Sequence, residues 1–237
     1  MLARLLPYRR ERLDALNPGR SARGVAFYQL CYFLSRAVLT AAYRLRVWDS
    51  GNLPPTGPVL VIANHQSHFD PVLVGMALPS RHLNFVARAT LFAFKPFGTM
   101  IAALNAFPLK QGESDTVAIR ATIELLRQGR VVLIFPEGSR TPDGEIHEFK
   151  RGAWLLMSRA KCPIVPVGIE GAFAAFPRGA AIPRVRGIRM GATVGSPLDP
   201  AELLAMGPEA GLIFLKQRVA ALKTKTAERL QRAGNNS

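Results

Sequence analysis

The sequence predicts an α/β fold: a mixed, mainly parallel sheet flanked by helices, with an N-terminal membrane-associating helical segment. Three observations carry this prediction. Short apolar runs, Val59–Ala63, Val131–Phe135 and Ile164–Ile169, alternate with segments of helical pattern, as strands joined by helical crossovers do. Val59–Ala63 reads as a buried strand and Val131–Phe135 as the clearest central one. Hydrophobic residues make up 49% of the 237-residue chain, enough for a sizeable core.

The chain divides into a basic, apolar helical segment over residues 1–47 and an α/β domain over 48–237 that closes with a basic helix. The apolar stretch from Val25 to Val47 is interrupted by Arg36 and Arg44, and Arg4, Arg9, Arg10, Arg12, Arg20 and Arg23 precede it. A spanning helix needs roughly 20 largely apolar residues. A stretch broken by two cations better suits a helix lying on an anionic leaflet. The first residues lack the apolar run and small-residue site of a cleavable signal peptide.

The turn-rich stretch 52–58 leads into the domain. Val59–Ala63 reads as a strand, and a helix over 71–78 starts on Pro71, whose fixed φ suits a first helical turn. Leu83–Ala87 is the next strand, 90–104 a helix broken around Lys95–Gly98, and Ala106–Leu109 a short strand. A helix over 114–128 ends at Gly129, a residue suited to a left-handed cap. Val131–Phe135 is a strand, Ala153–Ala160 a helix, Ile164–Ile169 and Ile188–Val194 strands, and 208–232 an amphipathic basic helix.

The formal net charge of +15 calls for an anionic partner: nucleic acid, phospholipid headgroups or a phosphorylated substrate. Aromatics are 8% and no nucleic-acid-binding signature is present, so no nucleic acid is expected. Cys31 and Cys162 stand far apart in apolar contexts and suggest no disulfide framework.

Two polar segments follow apolar runs directly, where open α/β sheets place their sites. The first is Asn64-His65-Gln66-Ser67-His68-Phe69-Asp70. Neutral imidazole can take the proton of an attacking hydroxyl near neutral pH, and a carboxylate on its far nitrogen fixes the tautomer. The same residues could instead cap the next helix, or form part of a metal cluster. The remaining histidines are His82 and His147, and no His-Glu-x-x-His or paired-cysteine spacing occurs, so no metal is expected. Gly138-Ser139 lacks the Gly-x-Ser-x-Gly context of a serine nucleophile, which favours direct attack by a substrate hydroxyl.

The second segment is Phe135-Pro136-Glu137-Gly138-Ser139-Arg140. Glycine lets backbone approach a ligand, Arg140 can bind phosphate through two parallel hydrogen bonds, and Glu137 can accept from a substrate hydroxyl. A surface turn carrying an ion pair would have the same composition. Lys150 and Arg151 add cations nearby, as would a solvated basic loop.

Together these blocks resemble those of the glycerolipid acyltransferases. Asn64–Asp70 looks like their His-x4-Asp block and Phe135–Arg140 like their Phe-Pro-Glu-Gly-Thr/Ser-Arg block. Ile164-Val165-Pro166-Val167 is similar to the fourth block, and Phe149-Lys150-Arg151-Gly152 matches a frequent family feature. The likeness covers roughly residues 45–200 and is strongest to bacterial 1-acylglycerol-3-phosphate acyltransferases. It implies His65 as general base and Asp70 as its orienter. Asn64, Lys110, Glu137, Gly138, Ser139, Arg140 and Lys150 would form the substrate site, with Arg140, Lys110 and Lys150 on the acceptor phosphate. One departure stands out. Where the second block usually carries arginine, the matching stretch places Gln111 beside Lys110, a point charge rather than a fork.

The resemblance further implies an acyl-CoA or acyl carrier protein donor, a lysophospholipid acceptor and no cofactor. It implies location at the cytoplasmic side of the cell membrane, peripheral or monotopic. Two alternatives are an enzyme for another lysolipid, such as a lyso-ornithine lipid, and a non-catalytic basic module binding membranes or nucleic acid.

Overall fold

A computed structural model of the chain describes residues 16–109 and 115–235. Lys110, Gln111 and Ser114 lie outside the described residues, as do Arg4, Arg9, Arg10 and Arg12. Seven strands form one sheet: β1 (Arg46–Trp48), β2 (Val59–Ala63), β3 (Leu83–Arg88), β4 (Ala106–Leu109), β5 (Val131–Ile134), β6 (Ile164–Glu170) and β7 (Gly191–Val194). Their order is β1-β7-β6-β2-β5-β3-β4, with every pair parallel except β6 with β7. The helices are α1 (Ala22–Tyr43), α2 (Asp70–Ala77), α3 (Lys95–Ala103), α4 (Asp115–Arg127), α5 (Arg151–Ala160), α6 (Ala172–Ala175), α7 (Pro200–Ala205) and α8 (Pro208–Asn235). Short 3-10 turns occupy Ser50–Asn52 and Ala89–Phe92.

The apolar runs are strands as expected, and β2 and β6 are buried almost throughout. Side chains alternate across a strand, so each run serves two cores. Val59, Val61, Leu133, Val165 and Val167 pack with Leu39 and Tyr43 of α1 and Leu73 and Val74 of α2. Leu60, Ile62, Val132 and Ile164 face Ile119 of α4, Leu156 of α5, and Leu215 and Val219 of α8. A one-face alternation would have left one of these helix layers with nothing to cover.

Three elements were not foreseen: β1, α6 and α7, each too short for a periodic pattern. β1 forms an edge of the sheet on β7, so the expected division at 47/48 falls inside a strand. β7 starts at Gly191 rather than at 188. Met190 before it donates its N–H to Tyr43 O, and its carbonyl accepts from Arg46 N, both at 3.0 Å.

Helix α1 begins at Ser21, whose hydroxyl accepts from Gly24 N, and ends at Arg44 in the left-handed region (φ 49°). Val25, Tyr28, Leu39 and Tyr43 bury one face along its length; Phe27, Leu30, Phe33, Leu34 and Val38 leave the opposite face apolar and exposed. By length and composition α1 could cross a membrane, with only 17% of its apolar window buried. It lies on the domain at both ends. Tyr28 stacks on His82 (ring centroids 3.9 Å apart) and accepts from Leu83 N (3.1 Å), and Tyr43 packs on Phe69 (5.7 Å).

The close approach of α8 to the sheet depends on Gly168. A Cβ there would stand 2.3 Å from the backbone of Leu222 and Lys223, and the Thr226 hydroxyl lies 3.1 Å from Gly168 O and 2.8 Å from Thr193 Oγ1. Gly168→Ala must push the helix off β6. Its expected cost is about 3 kcal/mol, read as a lower urea midpoint at unchanged slope; a loss under about 1 kcal/mol would mean the helix yields freely.

His82 gives a pH-dependent contribution. Burial, with Arg20 nearby, pushes its imidazole down to about 4 from 6.5, so the folded chain keeps it neutral while the unfolded chain takes up a proton. Its stabilisation is complete above pH 6.5 and lost as pH falls toward about 4. The raised carboxyls of Asp70 and Glu137 act in the opposite sense, and equally in wild type and variant. The stability of wild type minus that of His82→Phe therefore falls with acidification in that window, by at most about 3 kcal/mol. A flat difference would show that burial does not shift the titration of His82.

Candidate active site

β2 lies at the centre of the sheet between β5 and β6, and its C-terminal end delivers Asn64 and His65. Asn64 continues the pairing to β6 through its side chain: Nδ2 donates to Ile169 O (3.0 Å) and Oδ1 accepts from Ile169 N (2.8 Å). Its amide therefore anchors the chain just before His65.

The chain then turns into α2, whose first residue is Asp70, ahead of Pro71. The Asp70 carboxylate folds back over this turn. Its Oδ2 accepts from Gln66 N (2.5 Å), Ser67 N (2.7 Å) and His65 Nδ1 (2.7 Å). Asp70 is 0% exposed, and its Oδ1 makes no hydrogen bond. Burial pushes its carboxyl up from the ordinary range, opposed by His65 and the two N–H bonds. Asp70 is thus not a cap for its own helix. With Nδ1–H directed at Asp70, His65 Nε2 is left as an acceptor. Nε2 has no hydrogen-bonding partner among the described residues, and the side chain is 19% exposed.

The second block holds His65 in place. The Phe135 ring stacks on the imidazole, with centroids 3.9 Å apart and planes at 10°. Glu137 Oε1 accepts from His65 N (2.7 Å), and its Oε2 accepts from His147 N (3.1 Å). Thr141 N donates to His65 O (2.8 Å). Both backbone polar groups of His65 are thereby fixed by the loop after β5. Glu137 is buried, which raises its carboxyl, while its two N–H bonds oppose the rise. Thr141 is held by its own turn, its hydroxyl donating to Asp143 Oδ1 and accepting from Gly144 N.

Gly138 has φ +73°, and the Lys150 side chain lies across it: a Cβ there would stand 2.8 Å from Lys150 Nζ. Lys150 itself caps α5, and its N–H donates to Pro136 O (2.9 Å). Ser139 and Arg140 follow, each partly buried. The fold thus gathers Asn64, His65, Asp70, Glu137, Gly138 and Lys150 at one sheet edge. Asn64 and Glu137 direct their polar atoms at backbone, which makes them positioning residues for His65. His68 is exposed, with its ring near Phe176. No cluster of metal-ligating side chains occurs among the described residues. Sequence reasoning did not anticipate Phe135 and Thr141 as partners of His65. Phe135 lay inside a block already singled out, whereas nothing local marks Thr141.

A family model described as Acyltransferase matches residues 44–170, more than half of the chain and both blocks. The chain belongs to the Acyltransferase family. Among its relatives is the Bacillus subtilis protein named 1-acyl-sn-glycerol-3-phosphate acyltransferase. It is 25% identical over 211 residues, which cover 88% of this chain and 97% of that protein. The human protein named 1-acyl-sn-glycerol-3-phosphate acyltransferase alpha is 34% identical over 52% of this chain but 44% of its own length. The chain spans 39% of a chloroplastic relative from Arabidopsis thaliana. The crystal structure of the 1-acyl-sn-glycerophosphate (LPA) acyltransferase PlsC from Thermotoga maritima superposes with a TM-score of 0.67 at 24% identity. That match covers 94% of this acyltransferase and 87% of the other chain, and it shows the shared fold.

In this acyltransferase, Glu137→Gln puts an amide N–H2 against a backbone N–H while keeping the shape. The expected result is a loss of about 2 kcal/mol in urea unfolding, from one unsatisfied buried donor. A fall in kcat should accompany it. Unchanged kcat in a destabilised variant would show that the clamp on His65 serves the fold alone.

Proposed function

We propose that this chain esterifies the free hydroxyl of 1-acylglycerol-3-phosphate with a fatty acyl group from a thioester, yielding phosphatidic acid. The observation that carries the reading is the 2.7 Å His65–Asp70 contact, with Nε2 unpartnered beside a family-defining block. His65 Nε2 takes the hydroxyl proton as the oxygen attacks the thioester carbonyl, and Asp70 stabilises the imidazolium. The tetrahedral intermediate collapses to the ester, and the departing thiolate takes the proton from His65. This sequence needs no metal or redox group.

Ser139, Arg140, Lys110 and Lys150 are assigned to the acceptor, with Arg140 on its phosphate. The names of the Bacillus subtilis and human relatives support the lysophosphatidic acid acceptor. The donor is acyl-CoA or acyl carrier protein. The exposed apolar face of α1 supports a peripheral or monotopic placement on a membrane, with α1 along the interface rather than across it, and the family resemblance points to the cytoplasmic side.

His65→Ala should lower kcat/KM by roughly 10²–10⁴-fold while the chain still folds, since positioned base catalysis is worth that much. Asp70→Asn should lose both activity and stability, because three donors converge on Oδ2. The decisive assay is purified protein with labelled acyl-CoA and acyl carrier protein donors and a set of lysolipids. Transfer confined to a lyso-ornithine lipid would overturn the acceptor, retained activity in His65→Ala the base, and no acceptor-dependent thiol release the reaction.

A further inference from the structure

The loop between α6 and β7 carries Arg178, Arg184, Arg186 and Arg189 and no acidic residue. Residues 181–187 are exposed without interruption, and Ile182, at 78%, is the most exposed large apolar residue among those described; Val185 is exposed beside it. No ion pair involves Arg178, Arg184 or Arg186 among the described residues. By contrast, Lys223, Lys225 and Arg229 of α8 are all paired with carboxylates. The loop is not loosely attached. Arg184 N donates to Ala175 O (2.7 Å), and its end at Met190 is bonded to Tyr43 and Arg46.

Both ends of the loop lie on the α1 side of the sheet. Ala172 and Ala175 of α6 share a core with Leu39 and Tyr43 of α1. The start of the loop also touches the catalytic turn. Ser67 Oγ donates to Phe176 O (2.9 Å), Phe173 N donates to Gln66 Oε1 (3.4 Å), and the Phe176 ring lies 5.6 Å from that of Phe69.

We propose that the 177–187 loop is a second attachment to an anionic lipid surface, separate from α1. Ile182 and Val185 enter the interface while Arg178, Arg184 and Arg186 bind lipid phosphates. This rests on the membrane placement given above and adds a docking element to it. An apolar tip ringed by unpaired guanidiniums matches a leaflet, with its apolar interior under an anionic layer. An exposed apolar tip among cations selects the lipid surface over a soluble acidic protein, which would offer the arginines carboxylates but Ile182 no apolar layer. Because α6 joins the loop to the turn bearing His65, docking brings the headgroup layer against the site where a lipid hydroxyl must arrive.

The test is co-sedimentation of the full chain with vesicles of equal parts phosphatidylcholine and phosphatidylglycerol, and with pure phosphatidylcholine. Arg184→Ala/Arg186→Ala should weaken partition onto the anionic vesicles by roughly fivefold per arginine and leave the zwitterionic vesicles little changed. Ile182→Ser should weaken both by about tenfold. Matching circular dichroism spectra would show that each variant is folded. Wild-type partition by both variants would overturn the proposal. So would unchanged vesicle binding with loss of binding to an acidic acyl carrier protein, which would assign the loop to a protein partner. Partition is read without turnover. A chain that binds but transfers no acyl group would sink the reaction assigned above, whereas an active chain whose variants bind normally would sink only this loop.

Discussion

The site depends on one buried carboxylate oxygen. Asp70 Oδ2 gathers the imidazole of His65 and the N–H groups of Gln66 and Ser67, so a single atom shapes the turn and orients the ring. Removing a carboxylate from water is costly, and the cost is recovered only where charge-assisted hydrogen bonds replace the lost hydration. Two of those bonds come from the backbone, which cannot rotate away as a side chain can. The turn and the charge therefore require each other: the carboxylate is tolerable because the turn is formed, and the turn is formed because the carboxylate is there.

The second block makes the complementary constraint. Stacking by Phe135 fixes the plane of the ring, while Glu137 and Thr141 fix the main chain on either side of it. His65 thus moves only if β2, β5 and α2 move together. These are the parts of the molecule best buried, through strands that serve two cores at once. A family model spanning both blocks is consistent with this mutual dependence, since neither block positions the imidazole alone.

The sheet and the paired residues were readable for physical reasons. Short, β-branched runs apolar on every residue suit doubly covered strands, and His-x4-Asp lies within the reach of one tight turn. What escaped was of two kinds. β1, α6 and α7 are too short to show a period and exist because neighbours bind them. Glu137 looked like a group for substrate because it is polar at a strand end. Its actual partners, His65 N and His147 N, are backbone groups placed by the fold and have no signature in residue type. Asn64 was read the same way, and its amide goes to Ile169 for the same reason.

The distribution of charge completes the connection from composition to function. A net charge of +15 says that an anion is nearby but not where. The fold sorts the cations. Three of those on α8, Lys223, Lys225 and Arg229, meet Asp49, Glu145 and Glu170. Arg44 and Arg46, at the end of α1, and Arg184 and Arg186, on the loop before β7, meet no carboxylate, and Met190 ties these two groups to one end of the sheet. Cations gathered without carboxylates leave a positive field that attracts an anionic surface. They stand at the end of the sheet that carries His65, which fits the lipid-facing placement proposed for this surface.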